Sequence, residues 1–171
     1  MTGTWEALRD GRADIVVAAG DGPAGGGFKA VPVGQLEFIF CVTPTHPLAR
    51  LNRPLKRNDL LEHTAIVVGD SARLLADRTV GLLLGQNRIT VPSMAAKISY
   101  QVAGLGHGFL PRASVGAELA RGTLIELESE ETRPLESFWL AWRLDRSGEA
   151  LKWWRERLNR PLVPDILPRQ G

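Results

Sequence analysis

The residues best able to do chemistry in this chain are three histidines and one cysteine, and their spacing points to no reaction. His46, His63 and His107 are isolated in the sequence and share no metal-ligand spacing with each other or with carboxylates. Cys41 is the single cysteine, which excludes an internal disulfide, and its apolar surroundings predict a buried, inert thiol. The chain contains no Gly-x-Ser-x-Gly elbow, Walker loop or HExxH motif. We therefore predict no catalytic site, no metal site and no cofactor.

The glycines of residues 104–108 (GLGHG) superficially resemble a dinucleotide-binding loop. They follow a predicted helix and precede a predicted strand, which is the reverse of the order that cradles a phosphate, so we reject that interpretation. His107 is the polar side chain of this stretch. It has two interpretations, a hydrogen-bond donor to an acidic or phenolic effector or a satisfied histidine at the start of a strand. A lone histidine more often packs than binds, which favours the second.

The stretch 89–111 (ITVPSMAAKISYQVAGLGHGFLP) is the unit around which these residues are organised. A short β-branched strand ends at Pro92, and Ser93 is suited to cap the helix that follows. Four apolar residues then recur at helical spacing, namely Met94, Ile98, Val102 and Leu105. Gly104 and Gly106 end the helix, and a buried strand starts at Phe109. We expect this unit to place a helix N-terminus and a glycine turn side by side at the end of a sheet, where small ligands often bind.

Residues 104–111 (GLGHGFLP) resemble the GLGIALLP-type signature of the effector-binding domain of LysR-type transcriptional regulators. Other pieces that fall in the order of this family are LRDGRAD at 8–14, HPLA at 46–49, Asp59-Leu60 and RGTL at 121–124. Together they cover nearly the whole chain. His107 departs from the family pattern, which usually has an apolar residue there.

The resemblance implies an α/β chain with the two-lobe fold of periplasmic binding proteins. Its first lobe would contain residues 1–35 and 135–171, and its second lobe residues 36–134. The first strand and helix usual for the first lobe are lacking, so we expect this lobe to be truncated at its N-terminus. The implied function is a ligand-sensing domain with a small-molecule effector, which acts as a homo-oligomer. DNA would be contacted only through a helix-turn-helix domain absent from this chain.

The remaining elements alternate between strand and helix with short glycine loops, which indicates a parallel or mixed α/β sheet. Predicted helices cover 4–11 (capped by Thr4), 59–62 (capped by Asn58), 115–121 and 149–158 (capped by Ser147). Predicted strands cover 15–19, 28–33, 36–43, 64–68, 124–127 and 137–144. Residues 15–19 (IVVAA) are apolar without alternation, as is typical of a strand buried on both faces of a parallel sheet. Gly34 is expected to break one extended segment from the next, and residues 72–88 suit either a helix or a strand.

Composition limits the classes of partner. The net charge is +2, from 21 basic and 19 acidic residues, which is too balanced for a stripe that binds nucleic acid. No apolar run approaches the roughly 20 residues of a membrane span, and the first residues lack the apolar core of a signal peptide. We therefore expect a cytoplasmic protein without membrane contact. A free-standing solute-binding module and an enzyme with a small-molecule cleft are the alternatives. The lack of a signal peptide counts against the first, and the lack of a catalytic constellation against the second.

Three loops that follow predicted strands define the expected effector site, because strand ends open a crevice in α/β sheets. These loops are Ala19-Gly20, Gly69-Asp70-Ser71 and Pro92-Ser93-Met94, and we expect them to converge on one cleft between the lobes with His107 nearby. Ser71 and Ser93 would offer hydroxyls, and Met94 and Phe109 apolar walls. Lys97 is predicted to be solvated. The tryptophans Trp139, Trp142, Trp153 and Trp154 are expected to form a core or a subunit interface.

Overall fold

Helices and strands alternate along the chain in the computed structural model, which describes residues 2–20, 26–69, 83–131 and 135–158. The helices are α1 (Thr2–Arg9), α2 (Arg57–Leu61), α3 (Met94–Val102), α4 (Gly116–Ala120) and α5 (Glu149–Leu158), with short 3₁₀ helices at Pro47–Arg50 and Arg112–Ser114. The strands are β1 (Ile15–Ala19), β2 (Phe28–Leu36), β3 (Phe38–Val42), β4 (Ala65–Val68), β5 (Arg88–Val91), β6 (Gly108–Pro111), β7 (Ile125–Glu126) and β8 (Glu136–Arg143). Most of the segment 72–88 lies outside the described residues. Within the described ranges, no helix has the length and apolar character needed to cross a bilayer.

The described residues form two compact units. Unit 1 contains the described residues up to Leu36 together with 135–158, and unit 2 contains 37–69 and 83–131. All five tryptophans of the sequence belong to unit 1. Of the described strands, β1, β2 and β8 therefore belong to unit 1, and β3 to β7 belong to unit 2.

Unit 1 is an antiparallel sheet in the order β1-β8-β2, with α1 packed on one face. Trp5 and Leu8 of α1 are buried against Ala18 and Ala141, and the Trp5 indole donates to the Ala19 carbonyl at 2.9 Å. The prediction that 15–19 is buried on both faces of a parallel sheet is wrong, since β1 runs antiparallel to β8 and Val17 is 44% exposed. The partner strand β8 lies at the far end of the chain. The apolar pattern of residues 15–19 therefore does not indicate whether β1 pairs in a parallel or an antiparallel sense.

Three predicted boundaries in the first third of the chain are wrong by a few residues. Helix α1 already contains Thr4, so this residue is not its cap. The break between β2 and β3 falls at Glu37 instead of Gly34, because the sheet accommodates Gly34 through a register shift against β8. Helix α2 starts at Arg57 rather than Asp59, and the Asp59 carboxylate accepts a hydrogen bond from the backbone N–H of Lys56 at 2.7 Å. That bond satisfies one of the unpaired donors at the helix start.

Unit 2 contains an antiparallel group of strands in the order β6-β3-β7 and a parallel pair, β4-β5. The two groups are joined beside His107, which donates its backbone N–H to Thr64 O at 3.1 Å and accepts from Ile66 N at 2.9 Å. The sheet of unit 2 is thus mixed, and the predicted mixed α/β class is confirmed.

The core of unit 2 lies between α3 and the sheet. Its buried members are Ile39, Cys41, Leu110, Val115 and Leu124, and the predicted stripe of Met94, Ile98 and Val102 packs against them. Leu105 does not continue this stripe, since α3 ends at Val102 and Leu105 is 49% exposed. Neighbouring residues of a strand point to opposite faces, so Phe109, next to Leu110, faces away from α3.

Candidate functional site

The carboxyl ends of β4 and β5 meet beside the N-terminus of α3. Val68 and Val91 are paired at the ends of the two parallel strands, and the backbone N–H of Gly69 donates to Val91 O at 2.9 Å. Ser93 follows as the N-cap of α3, and its hydroxyl oxygen accepts from the backbone N–H of Ala96 at 3.2 Å. The predicted cap is therefore confirmed. Four of the predicted site residues, namely Gly69, Pro92, Ser93 and Met94, lie together at this edge.

This arrangement offers hydrogen-bond donors to a negatively charged or polar group. The first turn of a helix leaves backbone N–H groups without helical partners, and the Ser93 hydroxyl satisfies one of them. The aligned peptide dipoles add partial positive charge at the same end. Gly69, Pro92 and Ser93 are exposed, and Gly69 carries no side chain to fill the space beside β5. The edge is thus open to a small ligand.

Lys97 lies one turn inside α3 and is only 5% exposed, so the prediction that it is solvated is wrong. A Cβ atom built on Gly108 would lie 3.2 Å from the Lys97 ammonium nitrogen, which places that charge against the start of β6. Gln101, one turn further on, is fully buried. Its side-chain amide, with its nitrogen and oxygen oriented to suit both partners, donates to Cys41 O at 3.3 Å and accepts from Gly108 N at 3.2 Å. The spacing of four between Ser93, Lys97 and Gln101 was the signal that sequence reasoning missed.

His107 and Phe109 lie away from this edge. His107 is 2% exposed, and its Nε2 atom is 3.1 Å from Gln86 Nε2 and 3.3 Å from Leu60 O. The nine residues of α3, at about 1.5 Å each, separate it from Ser93, so the expectation of a helix N-terminus beside the glycine turn is wrong. Phe109 packs edge-to-face on Phe40, with ring centroids 5.3 Å apart. The geometry supports a structural role for His107 and does not bring Phe109 and Met94 into one wall.

The other predicted site residues belong to unit 1 or lie outside the described residues. Ala19 and Gly20 end β1 in unit 1, where Ala19 is 3% exposed and the Gly20 N–H donates to Ser137 O at 3.0 Å. Asp70 and Ser71 are outside the described residues. The contribution of these four residues to a site stays a prediction.

The three histidines, isolated in the sequence, meet in unit 2. The His46 ring centroid lies 5.0 Å from that of His63 and 6.1 Å from that of His107, and Phe40 covers His107 at 5.1 Å. Burial, with repulsion from the neighbouring imidazoles, lowers the pKa of His46 and lowers the pKa of His107 to about 4. Among the described residues, no group of histidine, cysteine, aspartate or glutamate is arranged to hold a metal ion. Burial therefore favours the neutral form of His46 and His107, which lie in the core.

Cys41 is fully buried in β3. Burial raises the pKa of its thiol to about 12, and the Glu126 carboxylate acts in the same direction. A thiol that stays protonated and inaccessible is a poor nucleophile. The predicted inert cysteine is confirmed.

Sequence comparisons identify relatives of this chain. A family model described as LysR substrate binding domain matches residues 1–161. The uncharacterized HTH-type transcriptional regulator YeeY of Escherichia coli (strain K12) is 40% identical over 159 residues, which are 92% of this chain and 52% of the relative. The HTH-type transcriptional activator AllS of Salmonella paratyphi A is 32% identical over 151 residues, 88% of this chain and 49% of that protein. The chain thus spans about half the length of these curated relatives.

Solved structures of similar fold include regulatory domains. The regulatory domain of NMB2055 (MetR), a LysR family regulator from N. meningitidis, has a TM-score of 0.70 at 19% identity and covers 95% of this chain and 76% of that one. The effector binding domain of QuiR in complex with shikimate has a TM-score of 0.65 at 15% identity, with 92% of this chain and 76% of that one covered. This likeness shows that the chain has the two-lobe α/β fold of these domains, which is also that of periplasmic binding proteins.

Proposed function

The chain belongs to the LysR substrate binding domain family, and from that premise we propose that it senses a small anionic or polar effector at the edge formed by Gly69, Pro92, Ser93 and Met94. The observation that carries this proposal is the N-terminus of α3, capped by Ser93 and open beside the ends of β4 and β5. The shikimate complex of QuiR is an example of a similar domain with a small effector.

In a longer protein this domain would report effector binding to a helix-turn-helix domain, as the names of the relatives suggest. The two lobes would be residues 1–35 with 135–171 and residues 36–134. An effector that binds two states of the domain with different affinity shifts their equilibrium, and the attached DNA-binding domains respond to that shift. Such a regulator acts in the cytoplasm and needs no catalytic residue.

A charge placed at position 93 tests the effector site without removing the helix cap. Aspartate and asparagine both cap helices well, so Ser93→Asp and Ser93→Asn should each retain α3. A thermal-shift screen of small organic acids on the unaltered chain is expected to find stabilising compounds. Their effect should survive in Ser93→Asn and disappear in Ser93→Asp, because the added carboxylate repels an anion at the helix N-terminus.

The pair of variants separates a lost site from a lost fold. Far-UV circular dichroism and the melting temperature without ligand should be alike in both. Equal ligand response in Ser93→Asp and Ser93→Asn would place the effector elsewhere. A screen in which no organic acid stabilises the chain would argue against an anionic effector at this edge.

We also propose that the chain self-associates through unit 1. Within the described residues, β1 pairs with β8 alone and so has one open edge. Val17 of that strand is 44% exposed, and Trp153 and Trp154 of α5 are 51% and 47% exposed. Open strand edges and apolar patches favour association. Light scattering over a concentration series is expected to show a mass above that of the monomer, and a monomer at every concentration would contradict this.

A further inference from the structure

Helix α5 has no buried residue and contacts the sheet of unit 1 where Arg155 lies over the Trp142 ring. Beside this contact is a cavity of 380 Å³, lined by Val31 of β2, Leu140 and Trp142 of β8, and Lys152, Arg155 and Glu156 of α5. Val31 pairs directly with Leu140, and Trp142 lies two residues further along the same strand, so these three side chains share a face. Ala141, between them, points to the opposite face and packs against α1.

The floor and the rim of this cavity differ in polarity. Leu140 and Trp142 are 1% and 7% exposed, and together with Val31 they give an apolar floor. Lys152 and Arg155 are three residues apart on α5, which places them on the same side of the helix. The Arg155 guanidinium carbon lies 4.3 Å from the centre of the Trp142 ring, so the ring holds this cation over the cavity.

The charge at the rim is not balanced within the cavity. Among the described residues, neither Lys152 nor Arg155 makes a side-chain ion pair. Among the described residues of the lining, Glu156 is the single carboxylate, so these residues carry a net charge of +1. An apolar volume of this size with a few convergent polar groups is typical of a small-molecule site.

We propose that this cavity is a second ligand site, separate from the edge of β4 and β5, and that it takes a small apolar carboxylate. The carboxylate would bind Lys152 and Arg155, whose N–H groups are charge-assisted donors. The hydrocarbon part would lie on Val31, Leu140 and Trp142. The six residues that the structure describes in this lining belong to unit 1, whereas the proposed effector site belongs to unit 2.

Isothermal titration calorimetry of the 171-residue chain with hexanoate tests the proposal, with hexanamide as the uncharged analogue of the same shape. Hexanoate is expected to bind more tightly than hexanamide by at least about tenfold, because charge-assisted hydrogen bonds are stronger than neutral ones. The Lys152→Gln/Arg155→Gln double variant should lose about the same factor for hexanoate and little for hexanamide. Glu156→Gln should tighten hexanoate binding, since it removes a negative charge from the lining.

Arg157→Gln is the matched control, since Arg157 lies on the same helix and is not part of the lining. It should change hexanoate affinity by less than about twofold, as expected for a surface charge away from the ligand. Arg155→Lys keeps the charge and removes the planar guanidinium, and it should retain most of the binding. Circular dichroism of each variant checks that α5 is still folded, and Ser93→Asp should bind hexanoate normally. Equal affinity for hexanoate and hexanamide, no binding of hexanoate, or an equal loss in Arg157→Gln would each overturn the proposal.

Discussion

Replacement of Gly106 by alanine is expected to destabilise unit 2 by about 3 kcal/mol, because the backbone leaves no room for a side chain there. A Cβ atom at this position would overlap the carbonyl oxygen of Thr64 and would lie 2.9 Å from Ile66 Cδ1. Thr64 O cannot move aside at little cost, since it accepts from His107 N at 3.1 Å in the contact that joins β4 to β6. Urea unfolding followed by far-UV circular dichroism measures the loss.

Gly116→Ala is the matched control for this change. Gly116 is the first residue of α4, and no atom lies within 4 Å of the position of its missing Cβ. Alanine there should leave stability unchanged or raise it by up to about 1 kcal/mol, since alanine favours helix and restricts the unfolded chain. If Gly106→Ala and Gly116→Ala unfold at the same urea concentration, the close contact at Gly106 does not constrain the fold.

The same contact gives a physical reason for the GLGHGFLP signature. Gly104 has a φ of 76°, in the left-handed region that ends α3, and Gly108 has a φ of 154°, which side chains rarely adopt. Gly106 is needed because its backbone passes too close to Thr64 and to Ile66 of β4 to leave room for a Cβ atom. Each glycine of the motif thus serves the turn between α3 and β6, and none of them contacts the edge proposed for the effector.

The second large expected effect is a loss of stability at acid pH. The stability of unit 2 is expected to fall as the pH drops from about 6.5 to about 4, because buried His107 has a pKa of about 4 in the folded state and about 6.5 when unfolded. Between these two pH values the unfolded chain binds a proton that the folded chain does not, so the free energy of unfolding rises with pH. The full contribution of His107 is present above about pH 6.5. The loss from His107 amounts to about 3 kcal/mol once the pH is below both values. His46, whose pKa is also lowered, acts in the same direction.

His107→Leu should remove most of this acid sensitivity. The polar groups near the ring include His46, His63, Gln86 and Leu60 O, and Nδ1 of His107 has no hydrogen-bond partner among the described residues. Loss of a buried ring that leaves one nitrogen unsatisfied should change stability at pH 7.5 by no more than about 1 kcal/mol. Urea unfolding at pH 7.5, 6, 5 and 4.5 gives the slope of the free energy of unfolding against pH for the unaltered chain and for His107→Leu. His63→Gln, at the half-buried rim of the cluster, is the control variant and should keep most of the acid sensitivity.

An unchanged slope in His107→Leu would mean that other groups, such as protonated carboxylates, cause the acid sensitivity. Both proteins share those groups, so the difference between their slopes isolates the histidine. A wild-type chain that is equally stable from pH 7.5 to 4.5 would contradict the prediction outright.

Short-range features of this fold follow from the sequence, and long-range pairing does not. The Ser93 cap, the stripe of α3 and the exact span of α5 were predictable because capping and helical period depend on residues a few positions apart. The antiparallel partner of β1 was not, since β8 lies at the far end of the chain. The burial of Lys97 was also missed, because an apolar stripe on one side of a helix does not exclude a second, polar stripe that is buried as well.

The prediction of the candidate site was likewise right for some residues and wrong for others. Gly69 and Pro92–Ser93–Met94 were predicted to converge, and they do within unit 2, because parallel strands end at a common edge. His107 and Phe109 were added from their closeness in sequence to the glycine turn. Alternation along β6 sends Leu110 to the α3 side and Phe109 to the other, and the length of α3 separates His107 from Ser93.

The placement of every tryptophan in unit 1 means that the two units differ in their intrinsic optical labels. Emission at indole wavelengths reports the surroundings of unit 1, whereas the single tyrosine of the chain, Tyr100, lies on α3 in unit 2. An unfolding curve followed by indole emission would therefore describe one half of the molecule, while the peptide signal averages both. Separation of the two curves in a single sample would reveal whether the halves melt independently, with no added dye or label.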